Sequence, residues 1–351
     1  MSVPCPHPSR YEVSDRTLFF EMRGFVCFLL LVVTALPTPS VRAAPASDSS
    51  TVSSGAANKP SLDELRAKAE AGDVNAEYQL VGMYLKGDGV PQDITEAFKW
   101  SHKAAEQGIS GAQYGVGLMY YNGNGVPGDK LEAAKWFRKA AEQGDARSED
   151  WLGLMYSKGE GVDLDKSESL KWYRKAADQG DASGEYHVGL FYEFNTHPKD
   201  DAEACQWYRK AAEQGLPVAE MWYGSHLLLG YGVAKDSAAA IEWIRKAADQ
   251  GQADAETWLG RFYSSGERVP IDKVEAVKWF RKAAEQGEDY SQYELGLSYF
   301  LGDGVPKDPI EAFKWMRKAA EQGLANAERQ VAFFYAQGFG VPKDQIEAFK
   351  R

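Results

Sequence analysis

Residues 132–144 read EAAKWFRKAAEQG, and this segment decides the fold because close variants of it recur along most of the chain. Its alanines and tryptophan recur at helical spacing with charged residues between them, which predicts an amphipathic helix. The closing glycine returns every 36 residues, with one interval of 35, at Gly72, Gly108, Gly144, Gly180, Gly215, Gly251, Gly287 and Gly323. A repeat of this length predicts a solenoid of helical hairpins, in which the glycine ends the second helix, here called helix B.

The first helix of each repeat, helix A, follows that glycine, as in residues 145–159, DARSEDWLGLMYSKG. A tyrosine column runs through these helices at Tyr84, Tyr120, Tyr156, Tyr192, Tyr263, Tyr299 and Tyr335. An inner glycine column lies at Gly117, Gly153, Gly189, Gly224, Gly260 and Gly296. Glycine inside a helix costs about 1 kcal/mol relative to alanine. Its recurrence therefore indicates the close approach of a neighbouring helix.

Loops such as GDGVPQD (87–93) and GDGVPKD (302–308) join the two helices. Glycine permits a left-handed exit from helix A, proline prevents its continuation, and aspartate caps helix B. Seven of these aspartates have glutamate three residues later, which predicts a reciprocal capping box; Asp236 is the exception, with Ala239 in that place.

Helix B carries a tryptophan column at Trp100, Trp136, Trp172, Trp207, Trp243, Trp279 and Trp315. A tryptophan in every unit indicates a core position, not a cofactor stack. Cys205 falls where other units have Phe98 or Val277, so we interpret it as a small core hydrophobe. With Cys5 and Cys27 in a predicted leader, no intramolecular disulfide is expected.

The combined pattern A-x-x-x-L-G-x-x-Y-x-x-G-x-G-V-x-x-D-x-x-x-A-x-x-W-x-x-K-A-A resembles the Sel-one-like repeat family, relatives of the tetratricopeptide repeats. The resemblance covers residues 61–351, with seven full repeats over 73–323 and a partial repeat over 324–351. It implies an all-α, right-handed α/α superhelical solenoid whose helices A line a concave groove for protein or peptide partners. The cysteine-rich members linked to penicillin binding or β-lactamase activity differ, because this sequence lacks their cysteines. The last helix B has about seven residues, which favours a truncated chain over an end that a partner covers.

The N-terminal region predicts export. From Met22 the chain has one arginine, an apolar run over 25–36 and a small-residue site, which is a secretory signal too short to span a membrane. We place cleavage after Ala43, interpret residues 1–43 as an N-terminal extension and signal peptide with Met22 the true start, and expect a periplasmic or secreted protein. An uncleaved anchor is the alternative. Residues 44–60 are small and polar, which predicts a flexible linker.

Composition excludes several classes of partner. The net charge is −11, and because residues 1–43 hold four basic and three acidic residues, the remainder carries −12. This charge disfavours nucleic acid and anionic lipid. The sequence contains no G-x-S-x-G, S-x-x-K, H-E-x-x-H or C-x-x-C motif, so we expect no enzyme activity, metal, cofactor or small-molecule ligand. A non-catalytic scaffold or adaptor of the bacterial envelope is favoured; the alternative is a β-lactamase-like hydrolase or peptidoglycan-binding protein.

Function is expected where residues vary between repeats. The inward-facing candidates on helix A are Tyr78, Tyr114, Leu118, Tyr121, Leu154, Tyr186, Leu190, Phe194, Tyr290, Tyr293, Leu297 and Phe300. They suit an extended or helical peptide, although packing between repeats is an equal alternative. Trp151, Trp222 and Trp258 share a column with His187, and core packing is favoured there over binding hot spots. Residues 192–200, YEFNTHPKD, lack both loop glycines. A neutral loop change is favoured there, and a bend in the superhelix or a specific contact is the alternative.

Overall fold

The computed structural model describes residues 61–196 and 199–350, and this part of the chain is built from seventeen helices without strands. Helix α1 (Leu62–Glu70) precedes the repeats. Helices A are α2 (Val74–Lys86), α4 (Ser110–Asn122), α6 (Ala146–Lys158), α8 (Ala182–Phe194), α10 (Pro217–Leu229), α12 (Ala253–Ser265), α14 (Asp289–Leu301) and α16 (Ala325–Gln337). Helices B are α3 (Ile94–Glu106), α5 (Lys130–Ala141), α7 (Lys166–Asp178), α9 (Asp201–Glu213), α11 (Ser237–Asp249), α13 (Lys273–Glu285), α15 (Pro309–Glu321) and α17 (Gln345–Lys350).

Each helix packs against the helix before it and the helix after it, so the core runs as a continuous line through the repeats. The predicted all-α solenoid of helix-turn-helix repeats is confirmed. None of the helices in the described ranges combines the length and the apolar character that crossing a membrane requires.

The inner glycine column brings the two helices of each repeat together. A Cβ atom added at Gly117 would lie 2.7 Å from Cδ1 of Phe137, and one added at Gly260 would lie 2.6 Å from Cδ1 of Phe280. Both aromatic rings are buried on helix B of the same repeat. The predicted close approach is therefore confirmed, and the approaching group is a side chain of helix B. It is aromatic at these two glycines and is Ile244 at Gly224 and Met316 at Gly296.

The tryptophan column lies at the edge of this core. Trp136, Trp172 and Trp279 are buried, while Trp100, Trp207, Trp243 and Trp315 are half-buried. The lysine three residues later covers the ring, with Nζ of Lys139 3.8 Å from the centre of the Trp136 ring. The most enclosed position is the next residue, such as Phe137 or Phe280. The core interpretation thus holds for three of the seven tryptophans, and the others form its boundary.

Aspartate caps helix B as predicted, but the reciprocal half of the capping box is wrong. Asp129 Oδ1 accepts hydrogen bonds from the amides of Leu131 and Glu132, at 2.9 and 3.0 Å. The Asp129 amide donates to the Tyr120 carbonyl oxygen at 2.9 Å, so the glutamate has no amide to accept from. Glu132 instead pairs with Lys135 at 2.5 Å. The loop folds back onto the end of helix A. The Asp129 amide is therefore already hydrogen-bonded to the Tyr120 carbonyl oxygen and is not available to the glutamate.

Arginines of helix B join several repeats to the next one, whereas the junction of the first and second repeats has His102 at this position and Arg317 of the seventh repeat bonds Glu321 of its own helix. Arg245 donates to the Tyr263 hydroxyl at 2.7 Å, and Arg281 donates to the Tyr299 hydroxyl at 2.8 Å. Arg209 has Leu227 at the corresponding place and bonds Glu213 of its own helix instead. The fourth and fifth repeats therefore meet without this link.

The fourth repeat is irregular at its loop as well. Helix α8 ends on Asn195 with φ −115°, where the other complete repeats have a glycine in the left-handed region. Cys205 is buried and free, which confirms its core interpretation. The predictions about the leader, Met22, Ala43 and the linker over 44–60 lie outside the described residues.

Candidate functional site

One face of helices A forms a concave surface along the solenoid. Helices α6 and α8, both helices A, contact each other directly. The charge of Arg147 acts on Tyr78 and that of Asp254 acts on Tyr186, although each pair is separated by a whole repeat. Side chains two repeats apart approach in this way only on the inner side of a curve. We call this surface the helix-A groove; it is formed by the predicted candidates together with Arg147, Asp254, Arg261, Glu288, Asp289 and Glu294.

The predicted candidates lie on helices A at the boundary of the core, and some of them pack between helices. Tyr78 is 42% exposed, and the other candidates are half-buried. The ring of Tyr114 lies 6.0 Å from that of Phe137, and Tyr186 lies 5.9 Å from Tyr208. Each tyrosine thus has one side against the core and another toward the groove.

Tyr121 is the most constrained candidate. Nζ of Lys130 lies 2.9 Å from the centre of its ring, and its hydroxyl donates to Glu160 Oε2 at 2.5 Å. Burial and the hydrogen bond to Glu160 raise the pKa of Tyr121. Its ring also meets Trp151 edge-on at 4.8 Å. These contacts hold Tyr121 in one orientation in the wall of the groove.

The helix A tryptophans are packing residues. Trp222 and Trp258 are 2% and 5% exposed, which confirms core packing for both. Trp151 is half-buried and stacks on Phe137, with ring centres 5.4 Å apart and an interplanar angle of 11°.

In the third and fourth repeats, acidic and basic side chains of the groove contact one another. Arg147 bonds Asp145 at 2.7 Å, and its guanidinium carbon lies 4.3 Å from the centre of the Tyr114 ring. His187 Nδ1 lies 2.7 Å from Asp150 Oδ1. Each acid here has a basic partner from the same or the next repeat.

In the sixth and seventh repeats three groove acids have a different environment. Burial raises the pKa of Asp254 and of Asp289. Burial also raises the pKa of Glu288 to about 7, and the negative charges of Asp254 and Asp289 add to this shift. No lysine or arginine of the described ranges is among the groups that act on these three carboxyls. The acids therefore crowd one another without a basic partner.

Glu294 of the seventh repeat differs from these three acids because it has basic neighbours. Burial raises the pKa of Glu294, while a hydrogen bond with Tyr290 and the charges of Arg261 and Lys273 oppose the shift. The Arg261 guanidinium carbon lies 5.0 Å from the centre of the Tyr290 ring. The cavity beside Glu294 and Lys273 has a volume of about 140 Å³, below the roughly 300 Å³ from which small-molecule sites begin.

Sequence reasoning missed the charged members of the groove. Arg147 and Asp254 share one helix A position, where the other repeats have Asn75, Gly111, Ser183, Val218, Tyr290 and Asn326. That departure was the available signal.

The family model described as Sel1 repeat matches eight consecutive segments, residues 75–109, 110–145, 146–181, 182–216, 217–252, 253–288, 289–324 and 325–350. The chain belongs to the Sel1 repeat family. Sel1 repeat proteins commonly act as protein-interaction scaffolds, and the fold is typically non-catalytic.

Solved structures of bacterial Sel1 repeat proteins are similar to this chain. A Sel1 repeat protein from Oxalobacter formigenes is 35% identical, with a TM-score of 0.60, over 82% of this chain and 84% of that protein. The protein c5321, a protective antigen present in uropathogenic Escherichia coli strains, is 34% identical, with a TM-score of 0.49, over 82% and 77%. Comparison with curated proteins gives no match.

Proposed function

We propose that this Sel1 repeat protein is a non-catalytic adaptor of the bacterial envelope that holds a segment of a partner protein in the helix-A groove. The observation that carries the proposal is the row of partly or largely accessible tyrosines along a concave surface, exemplified by the exposed Tyr78 and the half-buried Tyr290 and Tyr293. Tyrosine offers a large contact area and a hydrogen-bonding hydroxyl at a low cost in conformational entropy. The location rests on the predicted leader at residues 22–43.

The charges of the groove support a basic partner segment. Asp145 forms an ion pair with Arg147 and Asp150 lies within hydrogen-bonding distance of His187, whereas no lysine or arginine of the described residues is among the groups that act on Asp254 and Glu288. A lysine or arginine from a bound segment would supply the missing charge. The third and fourth repeats would then contribute aromatic contacts, and the sixth and seventh repeats would contribute the acidic contacts.

Capture of envelope proteins by the purified chain tests the role of the groove. The groove variant replaces Tyr78, Tyr290 and Tyr293 by serine. The matched control replaces Leu131, Leu164 and Ile271 by serine, because these apolar side chains are 55%, 61% and 63% exposed and lie outside helix A. We expect proteins captured by the wild type and the control to be lost from the groove variant. Equal capture by all three folded proteins would contradict the proposal.

Labelled peptides test the charge preference separately. A lysine-rich and a glutamate-rich peptide of equal length and equal aromatic content are compared by fluorescence anisotropy. We expect D254N/E288Q/D289N to weaken binding of the lysine-rich peptide about tenfold, since ion pairs with the half-buried Asp254 and Glu288 would contribute up to about 1 kcal/mol each. The matched control E142Q/D178N/D249N removes the same formal charge from exposed ends of helices B. If both variants weaken binding equally, the preference reflects only the overall negative charge.

A further inference from the structure

Four polar or titratable side chains are enclosed where the fourth and fifth repeats meet. Glu193 of α8, His226 of α10 and Tyr208 of α9 are each 0% exposed, and Cys205 of α9 is 4% exposed. Glu193 stands in a column with Tyr121, Leu228 and Phe300 in other repeats, and His226 stands in a column with Met83, Met119 and Met155. At two repeat positions that are mostly apolar elsewhere, the fourth repeat thus has an acid and the fifth repeat has a histidine.

The geometry joins these groups into one network. Glu193 Oε2 accepts a hydrogen bond from the Tyr208 hydroxyl at 2.8 Å and lies 3.4 Å from His226 Nε2. His226 Nδ1 lies 3.0 Å from the carbonyl oxygen of Tyr231. A carbonyl oxygen only accepts, so Nδ1 carries a proton, and Nε2 faces a carboxylate. Both ring nitrogens therefore have acceptors, which favours the imidazolium form.

The surroundings of His226 agree with this protonation. The titratable groups that face the ring are Glu193 from α8 and Cys205 and Tyr208 from α9, and the ring of Tyr231 in the following loop lies 6.0 Å away. Burial alone would lower the pKa of His226. Hydrogen bonds with Cys205 and Glu193, together with the charges of both groups, overcome this effect and raise the pKa to about 9.

The network lies at one of the three junctions between described repeats that lack the arginine–tyrosine hydrogen bond. Leu227 replaces the tyrosine that would accept from Arg209, and Asn195 replaces a loop glycine. We propose that the Glu193–His226 ion pair is the lock that holds the fourth repeat against the fifth, and that loss of its charge makes this junction the pH-sensitive joint of the solenoid. The inference stands whether or not the helix-A groove binds a partner.

The direction of the pH effect follows from the raised pKa of His226. Its folded-state value of about 9 exceeds the ordinary 6.5, so the stabilisation is complete below pH 6.5 and is lost as the pH rises through 9. The lock should therefore change the equilibrium constant for unfolding on the order of a hundredfold between pH 6 and pH 10.

Titration of the His226 ring by NMR in the wild-type chain is the first test, and it needs no destabilising variant. A pKa near 9 supports the lock, and a value at or below 6.5 overturns it. The amides of α8, α9 and α10 should also exchange hydrogen faster, relative to the other helices, as the pH rises through 9 after correction for intrinsic exchange. A uniform pH response along the solenoid would overturn the proposal.

Variants then separate the ion pair from simple packing. E193Q and H226Q each leave a buried group without its charged partner and should unfold at lower urea concentration at pH 7. The double variant E193L/H226M restores the apolar residues of other repeats and should recover stability while losing the pH response specific to the junction. The matched control is H187Q, which removes a half-buried histidine from helix α8 of the fourth repeat. This variant should keep the pH response of the junction. If E193L/H226M keeps the wild-type pH response, the lock is excluded.

Discussion

Gly153 of α6 lies directly against the ring of Tyr173 in α7, and a Cβ atom added at Gly153 would lie 2.4 Å from Cδ1 of that ring. The ring is buried, so it has no space into which to move. The glycine is thus required by packing, even though it weakens the helix in which it lies.

We predict that Gly153→Ala lowers the free energy of unfolding by about 1 to 3 kcal/mol, because overpacking outweighs the better helix propensity of alanine. Gly115→Ala is the matched control, since nothing lies within 4 Å of a Cβ added there. The control should stabilise the chain by up to about 1 kcal/mol. Urea unfolding of both variants checks the prediction, and a destabilised Gly115→Ala would show that helix propensity was misjudged.

The capping bonds of α5 predict unequal effects for two acids of one turn. Asp129→Ala removes the acceptor of two helical amides and should cost about 1 kcal/mol. Glu132→Gln removes only a partly exposed pair with Lys135 and should cost less than about 0.5 kcal/mol. Thermal unfolding of both variants is the measurement. Equal losses of stability would indicate that Glu132 also caps the helix, as the reciprocal capping box requires.

The repeat period predicted the fold because the same local rules act in every unit. Asp129 caps the start of helix α5, Gly144 follows its end, and Trp136 lies on the face that packs against the core. Each of these signals can be recognised within a single repeat. The reciprocal cap failed because the Asp129 amide reaches the Tyr120 carbonyl, a contact that depends on how the loop folds back.

The candidate site was harder to predict because a helix A residue meets two neighbouring repeats as well as the groove. Tyr114 and Tyr186 share the tyrosine chemistry of Tyr78, yet both pack on aromatic rings of helix B. The Glu193–His226 pair shows the same difficulty, because its two members are 33 residues apart and belong to different repeats. The sequence does not show that these two residues meet, because their contact depends on how the fourth and fifth repeats stack.

The groove carboxyl of Glu288 predicts a pH-dependent stability change. Its folded-state pKa of about 7 exceeds the usual 4.5, so the associated stabilisation is present below pH 4.5 and is lost as the pH rises through 7. Glu288→Gln should therefore raise the free energy of unfolding at pH 8 by about 1 kcal/mol relative to its effect at pH 4.5, after allowance for solvent screening. The exposed Glu142→Gln is the control and should show no such difference. Urea unfolding at the two pH values decides, and a lower stability of Glu288→Gln at pH 8 would contradict the burial argument.

Truncation of Trp279 tests how far damage spreads along the solenoid. The ring is buried in helix α13, and Nζ of Lys282 lies 4.0 Å from its centre. Trp279→Ala removes both contacts and should cost roughly 3 to 5 kcal/mol. Because each repeat contacts only its neighbours, hydrogen exchange should accelerate in α12, α13 and α14 while α2 to α7 keep wild-type rates. Trp279→Phe keeps an aromatic ring under Lys282 and should show a smaller effect in the same helices. Faster exchange in α2 to α7 would mean that the repeats unfold as one cooperative unit.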